Sequence, residues 1–191
     1  MAKKDYDSIR DDYKTPPEIY ESLLKYAELT EFDLDVCCSE HNIPAKNYND
    51  SFFVDGLQTE WVGKCFLNPP FKYTIKWVSK AVESVKKYKF STEVFAVLPA
   101  DRFETKFYQE NIVCNPDCLF AFLPKKQGFI IPGRENEPII PSQKIAIVIF
   151  TKRAAEWAYS WNFYDWFNTK AFVGVAKSST GGGVAYDNGF F

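Results

Sequence analysis

Apolar positions along this chain alternate between helical and extended spacing. The stretch Ile19-Tyr20-Glu21-Ser22-Leu23-Leu24-Lys25-Tyr26-Ala27-Glu28-Leu29 is amphipathic, and Thr15-Pro16-Pro17-Glu18 before it predicts how the helix starts. Thr15 suits an N-cap, the prolines suit the first turn, and Glu18 stands three residues on, as in a capping box. Phe32-Asp33-Leu34-Asp35-Val36 alternates like a short strand and runs into the small residues Cys37-Cys38-Ser39. A polar loop is expected next, carrying Asn42, Asn47, Asn49 and Asp50 and ending at Asp55-Gly56-Leu57. Residues 64–67 read as a brief buried strand that Asn68-Pro69-Pro70-Phe71 must stop. From Thr74 to Tyr88, Ile75, Val78, Ala81, Val82 and Val85 repeat with a helical period. Buried strands are expected over 93–100, 118–123 and 144–150, and a helix over 103–112. The connection 124–143 is rich in Pro and Gly. Strands alternating with helices predict an α/β sheet whose active loops lie at the strand C-termini. A helix over 153–168 would place Trp157, Trp161, Tyr164 and Phe167 on one stripe, a spacing suited to core packing or to a homodimer contact. One domain is expected over 1–170, followed by a flexible tail over 171–191 that contains Lys177-Ser178-Ser179-Thr180 and three glycines.

Composition narrows the class. The 191 residues are 46% hydrophobic and 25% charged, the balance of a globular domain able to bury a core without staples. Aromatics reach 18%, with 18 Phe and 11 Tyr, so many flat side chains need a core, a partner or a planar ligand. No apolar run is long enough for a membrane span, and the N-terminus lacks the apolar stretch of a secretory signal. A cytoplasmic location is therefore expected. The five cysteines and one histidine read as reduced, mostly buried thiols. The alternative, a metal site from Cys37, Cys38 and His41 with Cys114 and Cys118, has no recognised zinc spacing, so no metal is expected. Charge is divided along the chain. Residues 1–63 hold 6 Lys/Arg against 14 Asp/Glu, and residues 64–134 hold 12 against 6. A basic middle suits a phosphate footprint, and it equally suits a solvated lysine-rich helix face.

The most informative residues are Asn68-Pro69-Pro70-Phe71, between an apolar strand and an amphipathic helix. An exocyclic base amine is a poor nucleophile because its lone pair is delocalised into the ring. Two acceptors that each take one amine hydrogen pull the nitrogen toward tetrahedral geometry and aim its lone pair at a methyl donor. The Asn68 side-chain oxygen and the Pro69 carbonyl suit that pair. The prolines fix the turn and remove competing N–H donors. Phe71 offers a face for a planar base, and a base within a duplex must be flipped out to reach it. Asn, Pro and Pro are also ordinary turn formers, which is the structural alternative.

The ordered set Thr15-Pro16-Pro17-Glu18, Phe32 to Ser39, Asp55-Gly56-Leu57 and Asn68-Pro69-Pro70-Phe71 resembles the phage-type DNA N6-adenine methyltransferases, a Dam-like family. Val97-Leu98-Pro99-Ala100 and the strand before Phe150 add to a resemblance that covers about residues 12–150. It implies a Rossmann-like, S-adenosylmethionine-dependent methyltransferase fold, mainly parallel with an antiparallel last strand. It also implies that Thr15, Pro16 and Pro17 line the cofactor's methionine end, that Asp35 faces its amino group or sugar, and that Asp55 accepts from its adenine amine. Cys37 and Gly56 would permit close backbone approach to the cofactor. The glycine-rich loop common in other methyltransferases is replaced here by Cys37-Cys38-Ser39. An acidic residue ending a second strand has no clear place, Asp50 being the nearest candidate. Taken singly, Asp35 and Asp55 also read as turn caps.

The implied partner is DNA, with Phe71 and Lys72 beside the base and Lys125, Lys126 and Arg134 placed for phosphates in the Pro/Gly-rich connection. Transfer would be an in-line displacement without a covalent intermediate or a metal. Two other functions stay open at this level. The loop also fits RNA adenine, cytosine N4 or a protein glutamine amide, and the fold also fits a catalytically silent binding protein.

Overall fold

The computed structural model describes residues 13–38, 41–50, 54–123, 126–137, 144–155 and 172–175. Helix α1 spans Pro17–Tyr26 and strand β1 Phe32–Cys38. Strands β2 and β3 occupy Ala45–Asp50 and Gly63–Leu67. Helix α2 covers Thr74–Tyr88 and strand β4 Thr92–Pro99. A short helix α3 at Lys106–Tyr108 precedes strands β5 at Cys118–Phe122, β6 at Ile145–Phe150 and β7 at Phe172–Val175.

The strands form one sheet in the order β2-β1-β3-β4-β6-β5-β7. β1 to β4 run parallel, and β6 lies antiparallel between β4 and β5. The expected mixed α/β sheet with an antiparallel closing strand is present, and β7 adds a second antiparallel strand beside β5. Both neighbours of β1 run parallel to it, yet the chain reaches one through the 39–44 connection and the other only after β2. Open α/β sheets bind ligands in the crevice beyond the strand C-termini at such a reversal, which here lies beyond the ends of β1 and β3.

Both faces of the sheet are covered, which explains the continuous apolar runs in β4 and β6. Val94, Ala96 and Leu98 of β4 join Trp77, Val78, Ala81 and Val85 of α2 in one core. Phe95 and Val97 face the other way, into a core with Ile19, Leu23 and Leu24 of α1. Each helix thus fills one face, α2 through Val78, Ala81, Val82 and Val85 of its expected stripe together with Trp77, whereas Ile75, expected in that stripe, is exposed in the first turn.

Four expectations need correction. The polar loop at 42–50 contains β2, whose Ala-Lys-Asn-Tyr-Asn-Asp composition has little strand propensity. It is held from outside by pairing with β1 and by Asn47 and Asn49, whose side-chain amides donate to the Asp33 carbonyl and the Thr59 hydroxyl. The helix expected at 103–112 is a single α-turn that widens into a π-helical turn over Gln109–Val113. There the Cys114 N–H reaches the Gln109 carbonyl at 2.8 Å, and the Gln109 amide donates to the Phe103 carbonyl at 2.6 Å. The N-cap of α1 is Pro16 rather than Thr15, and no side chain caps it. Finally, Phe172–Val175, placed in the tail, pairs with β5 because an apolar edge strand needs a partner for its free N–H and C=O groups. Residues 156–171, with the stripe of Trp157, Trp161, Tyr164 and Phe167, lie outside the described residues, as does the tail from 176. Among the described residues, no helix is long and apolar enough to cross a membrane.

Near the end of the sheet opposite the crevice, Glu93 is buried to 2% exposure, salt-bridged to Lys64 on the neighbouring strand and accepting from the Thr151 hydroxyl at 2.9 Å. Removing one partner of a buried pair strands the other charge. Lys64→Met should therefore cost roughly 2–3 kcal/mol, less than a wholly buried pair would because the lysine is partly exposed. Lys64→Met combined with Glu93→Leu should recover most of the loss, as read from urea unfolding midpoints.

Candidate active site

β3 ends where the chain meets Asn68, since neither Pro69 nor Pro70 has an N–H to continue a ladder. Pro69 is buried, Pro70 half-buried. The Pro70 carbonyl accepts from the Tyr73 N–H at 3.0 Å, closing a short 3-10 turn over Phe71–Tyr73 that leads into α2. The Thr74 hydroxyl donates to the Phe71 carbonyl at 2.8 Å and fixes the same corner. Among the described residues the Pro69 carbonyl accepts no hydrogen bond. The Asn68 side chain is held by its nitrogen: Nδ2 donates to the Thr15 hydroxyl at 3.0 Å and to the Tyr13 carbonyl at 3.3 Å. Its Oδ1 accepts nothing from the described residues. Two acceptors therefore remain open at one bend of the backbone.

Across the crevice, Asp35 on β1 is 2% exposed and, among the described residues, receives one hydrogen bond, from the Cys37 N–H at 3.2 Å. Burial pushes its carboxyl up to about 7, against which that single bond does little. A buried carboxylate so poorly compensated suits a cationic ligand group. Cys37 is half-buried beside it. The Asp55-Gly56-Leu57 turn packs against the end of β1. A Cβ on Gly56 would collide with the Val36 carbonyl oxygen and meet the Trp77 ring at 3.1 Å, so only glycine fits. Its carbonyl is anchored by the Trp61 indole N–H at 2.9 Å and the Thr59 hydroxyl at 3.0 Å. Asp55 is exposed and caps this turn, its Oδ1 accepting from the Leu57 N–H at 3.0 Å. The turn-cap alternative thus holds for Asp55, with its second oxygen left for another donor. Asp50 is the last residue of β2, the strand that pattern alone did not reveal.

The third side of the crevice comes from residues distant in sequence. Lys14 pairs with Ile130 through two backbone hydrogen bonds of 3.0 Å, and its ammonium salt-bridges Glu135 at 2.8 Å. That bond and the Gly133 N–H hold the Glu135 carboxyl down to about 2. Tyr13 stacks on Phe129 at 6.3 Å, and Phe129 meets Phe71 at 5.8 Å with rings nearly perpendicular. Phe71 is therefore partly core and partly wall. Tyr13 and Phe129 were not singled out by the sequence, because their pairing spans the whole parallel half of the sheet; an apolar Phe-Ile-Ile run inside a Pro/Gly-rich connection was the available signal. Thr15 and Pro16 are buried, while Pro17 is exposed. Lys72 is exposed, its ammonium 5.5 Å from the Tyr73 ring. Lys126 and Arg134 are exposed, Arg134 lying 3.8 Å from Glu137. Lys125 lies outside the described residues. Among the described residues, no three His, Cys, Asp or Glu side chains gather as a metal site.

The strain on Asp35 has a sign. Unfolded, it titrates at its ordinary 3.8, and folded at about 7. Over that interval the folded chain holds a proton the unfolded chain has lost, so this residue's contribution to stability falls as pH rises from about 4 through 7. Asp35→Asn should raise the melting temperature at pH 8, by as much as ~4 kcal/mol of stability, and have little effect near pH 4. Thermal unfolding of both proteins across that range tests this.

Comparison with known proteins bears on the same residues. The sequence profile of a family described as DNA N-6-adenine-methyltransferase (Dam) matches residues 3–160. A DNA N-6-adenine-methyltransferase of Haemophilus phage HP1 (strain HP1c1) is 32% identical over 76 residues, a stretch that is 39% of this chain and 43% of that relative. The chain thus aligns with less than half the length of this phage protein. With a profile match that runs from the N-terminal lead past β6, the chain belongs to the DNA N-6-adenine-methyltransferase (Dam) family.

Proposed function

We propose that this protein transfers a methyl group to N6 of adenine in DNA, using S-adenosylmethionine, with the adenine flipped into the crevice beyond β1 and β3. The observation that carries this reading is the pair of open acceptors, Asn68 Oδ1 and the Pro69 carbonyl, on a bend that has no N–H at either proline. Each would take one hydrogen of the N6 amine, drawing its lone pair out of the ring. Phe71 would bear on the base, with Phe129 edge-on behind it. The proton leaves after transfer, when the amine is cationic and acidic, so no strong base is needed at the loop.

The donor set fits the cofactor. Asp35 is a buried, under-bonded carboxylate suited to an ammonium or sulfonium, and Gly56 keeps the opposite turn close to the end of β1. Asp55, with one oxygen that accepts nothing from the described residues, would accept from an adenine amine. Pro16, Pro17 and Cys37 would border the same space, with Thr15 contributing only its backbone because its hydroxyl is turned to Asn68. When bound, S-adenosylmethionine supplies a methyl group already activated by its sulfonium. A Rossmann-like methyltransferase architecture is part of the proposal, supported by the strand order and by β6 inserted antiparallel between β4 and β5. Exposed Lys72, Lys126 and Arg134, with Lys125, are the proposed phosphate contacts.

Asn68→Ala should leave the dissociation constant for S-adenosylmethionine within about twofold while lowering turnover on DNA by 10² or more, on the order of what one oriented transition-state contact supplies. Labelled methyl donor offered to DNA and RNA in parallel measures it. Wild-type turnover in the variant, or transfer to RNA alone, would overturn the proposal. Cofactor affinity should also rise from pH 6 to pH 8 with release of a proton, because a cation favours ionised Asp35; Asp35→Asn should bind more weakly and lose that pH dependence. Titration calorimetry in buffers of different ionisation enthalpy reads both effects.

A further inference from the structure

Thr15 was expected to cap a helix, and its hydroxyl is bonded to Asn68 instead. It is 2% exposed, and its hydroxyl lies 3.0 Å from Asn68 Nδ2. The Tyr13 carbonyl lies 3.3 Å from the same atom. A carbonyl oxygen has no proton to give, so the Asn68 atom that faces Tyr13 must be the NH2 and not the oxygen. The Tyr13 carbonyl thus selects which way the amide is turned, and the Thr15 hydroxyl, which takes the second hydrogen, anchors it in that orientation.

We propose that Thr15 is a positioning residue for methyl transfer, holding the Asn68 amide so that its oxygen, rather than its NH2, meets the target amine. This rests on the function proposed above. Turned the other way, Asn68 would present N–H donors to an amine that is itself a donor, and the lone pair would stay in the ring. With the Thr15 hydroxyl gone, one longer bond to Tyr13 remains, and a smaller fraction of molecules holds the productive orientation. Thr15 exchanges no proton with the substrate and forms no bond in the reaction. Its own place is secured: the Asn42 amide donates to the Thr15 carbonyl at 3.4 Å, and the paired backbone of Lys14 and Ile130 pins the preceding residue. The hydroxyl is thus carried on a fixed stretch of backbone.

The test compares Thr15→Val, which keeps shape and branching, with Thr15→Ser, which keeps the hydroxyl. Single-turnover methyl transfer to duplex DNA, the dissociation constant for S-adenosylmethionine and the melting temperature are measured for each. Thr15→Val should slow transfer by about tenfold, the scale of one neutral hydrogen bond, while cofactor affinity stays within about twofold. Thr15→Ser should transfer at close to the wild-type rate. If Thr15→Val is too unstable to assay, Thr15→Ala removes the hydroxyl without adding a methyl group and should show the same slowing. The proposal is overturned if the hydroxyl-free variants transfer at the wild-type rate, if they lose only cofactor affinity, or if Thr15→Ser is as slow as Thr15→Val. Asn68→Ala run alongside keeps the two levels apart: full activity there removes the proposed function itself, whereas an inactive Asn68→Ala beside a fully active Thr15→Val removes only the role of Thr15.

Discussion

Two hydrogen bonds on one amide nitrogen tie together parts of the chain that are 53 and 55 residues apart. Asn68 cannot be positioned by β3 alone, because the ladder stops at Leu67 and two prolines follow. Its orientation comes from residues 13–15, and those are in turn clamped to residues 129–135 by a backbone pair, a salt bridge and a ring contact. The lead before α1, the bend after β3 and the segment after β5 therefore act as one unit around the crevice. Loosening any of them reaches the amide. A rigid sheet supplies the edge, and three short segments supply the precision.

The two ends of the sheet are built on opposite principles. On β1, Asp33 and Asp35 are two residues apart and have opposite environments. Asp33 is held below its ordinary range by the Lys46 ammonium and the Lys64 N–H, which lie at 2.7 and 2.8 Å. Asp35 is pushed up by burial with one weak bond to oppose it. Glu93 likewise has both its partners near the Asp33 end. Asp33 and Glu93 are thus paired toward the start of their strands, whereas Asp35, farther along β1, has its ionised form disfavoured by burial.

The parts of the fold that could be read from the chain are those whose pattern is made locally. Helix α2 follows from the spacing of Val78, Ala81, Val82 and Val85, and β4 and β6 from unbroken apolar runs. The site loop was legible because Asn-Pro-Pro-Phe after a strand is chemically unusual. β2 was not legible, since its support comes from β1 and from side chains of other loops. Thr15 was misread as a cap for a related reason. A threonine before two prolines satisfies every local rule for an N-cap, and the hydrogen bond that won lies on a residue far along the chain. Asp55 shows the reverse, a local turn rule that holds while the functional role stands as a proposal. The Tyr13–Phe129 contact had no local signal beyond the apolar Phe-Ile-Ile run at one of its ends, and the Lys14–Glu135 pair had none.

The division of charge along the chain acquires a meaning once the strand order is known. Residues 1–63 carry net −8 and contain β1 and β2; residues 64–134 carry net +6 and supply nearly all of β3, then β4 and β5. The boundary in sequence falls at the start of β3, and β3 is the strand that pairs with β1 on the side away from β2. Asp35 and Asp55 belong to the acidic part, and the exposed Lys72, Lys126 and Arg134 to the basic part. On the proposed reaction, the methyl donor is cationic at its reactive end and the DNA is anionic along its length, so the two parts suit ligands of opposite sign. Asn68 stands at the junction, where a neutral amine must meet a positive methyl group. A neutral amide suits that position: it accepts a hydrogen bond without adding a charge that would favour either partner before the two are aligned.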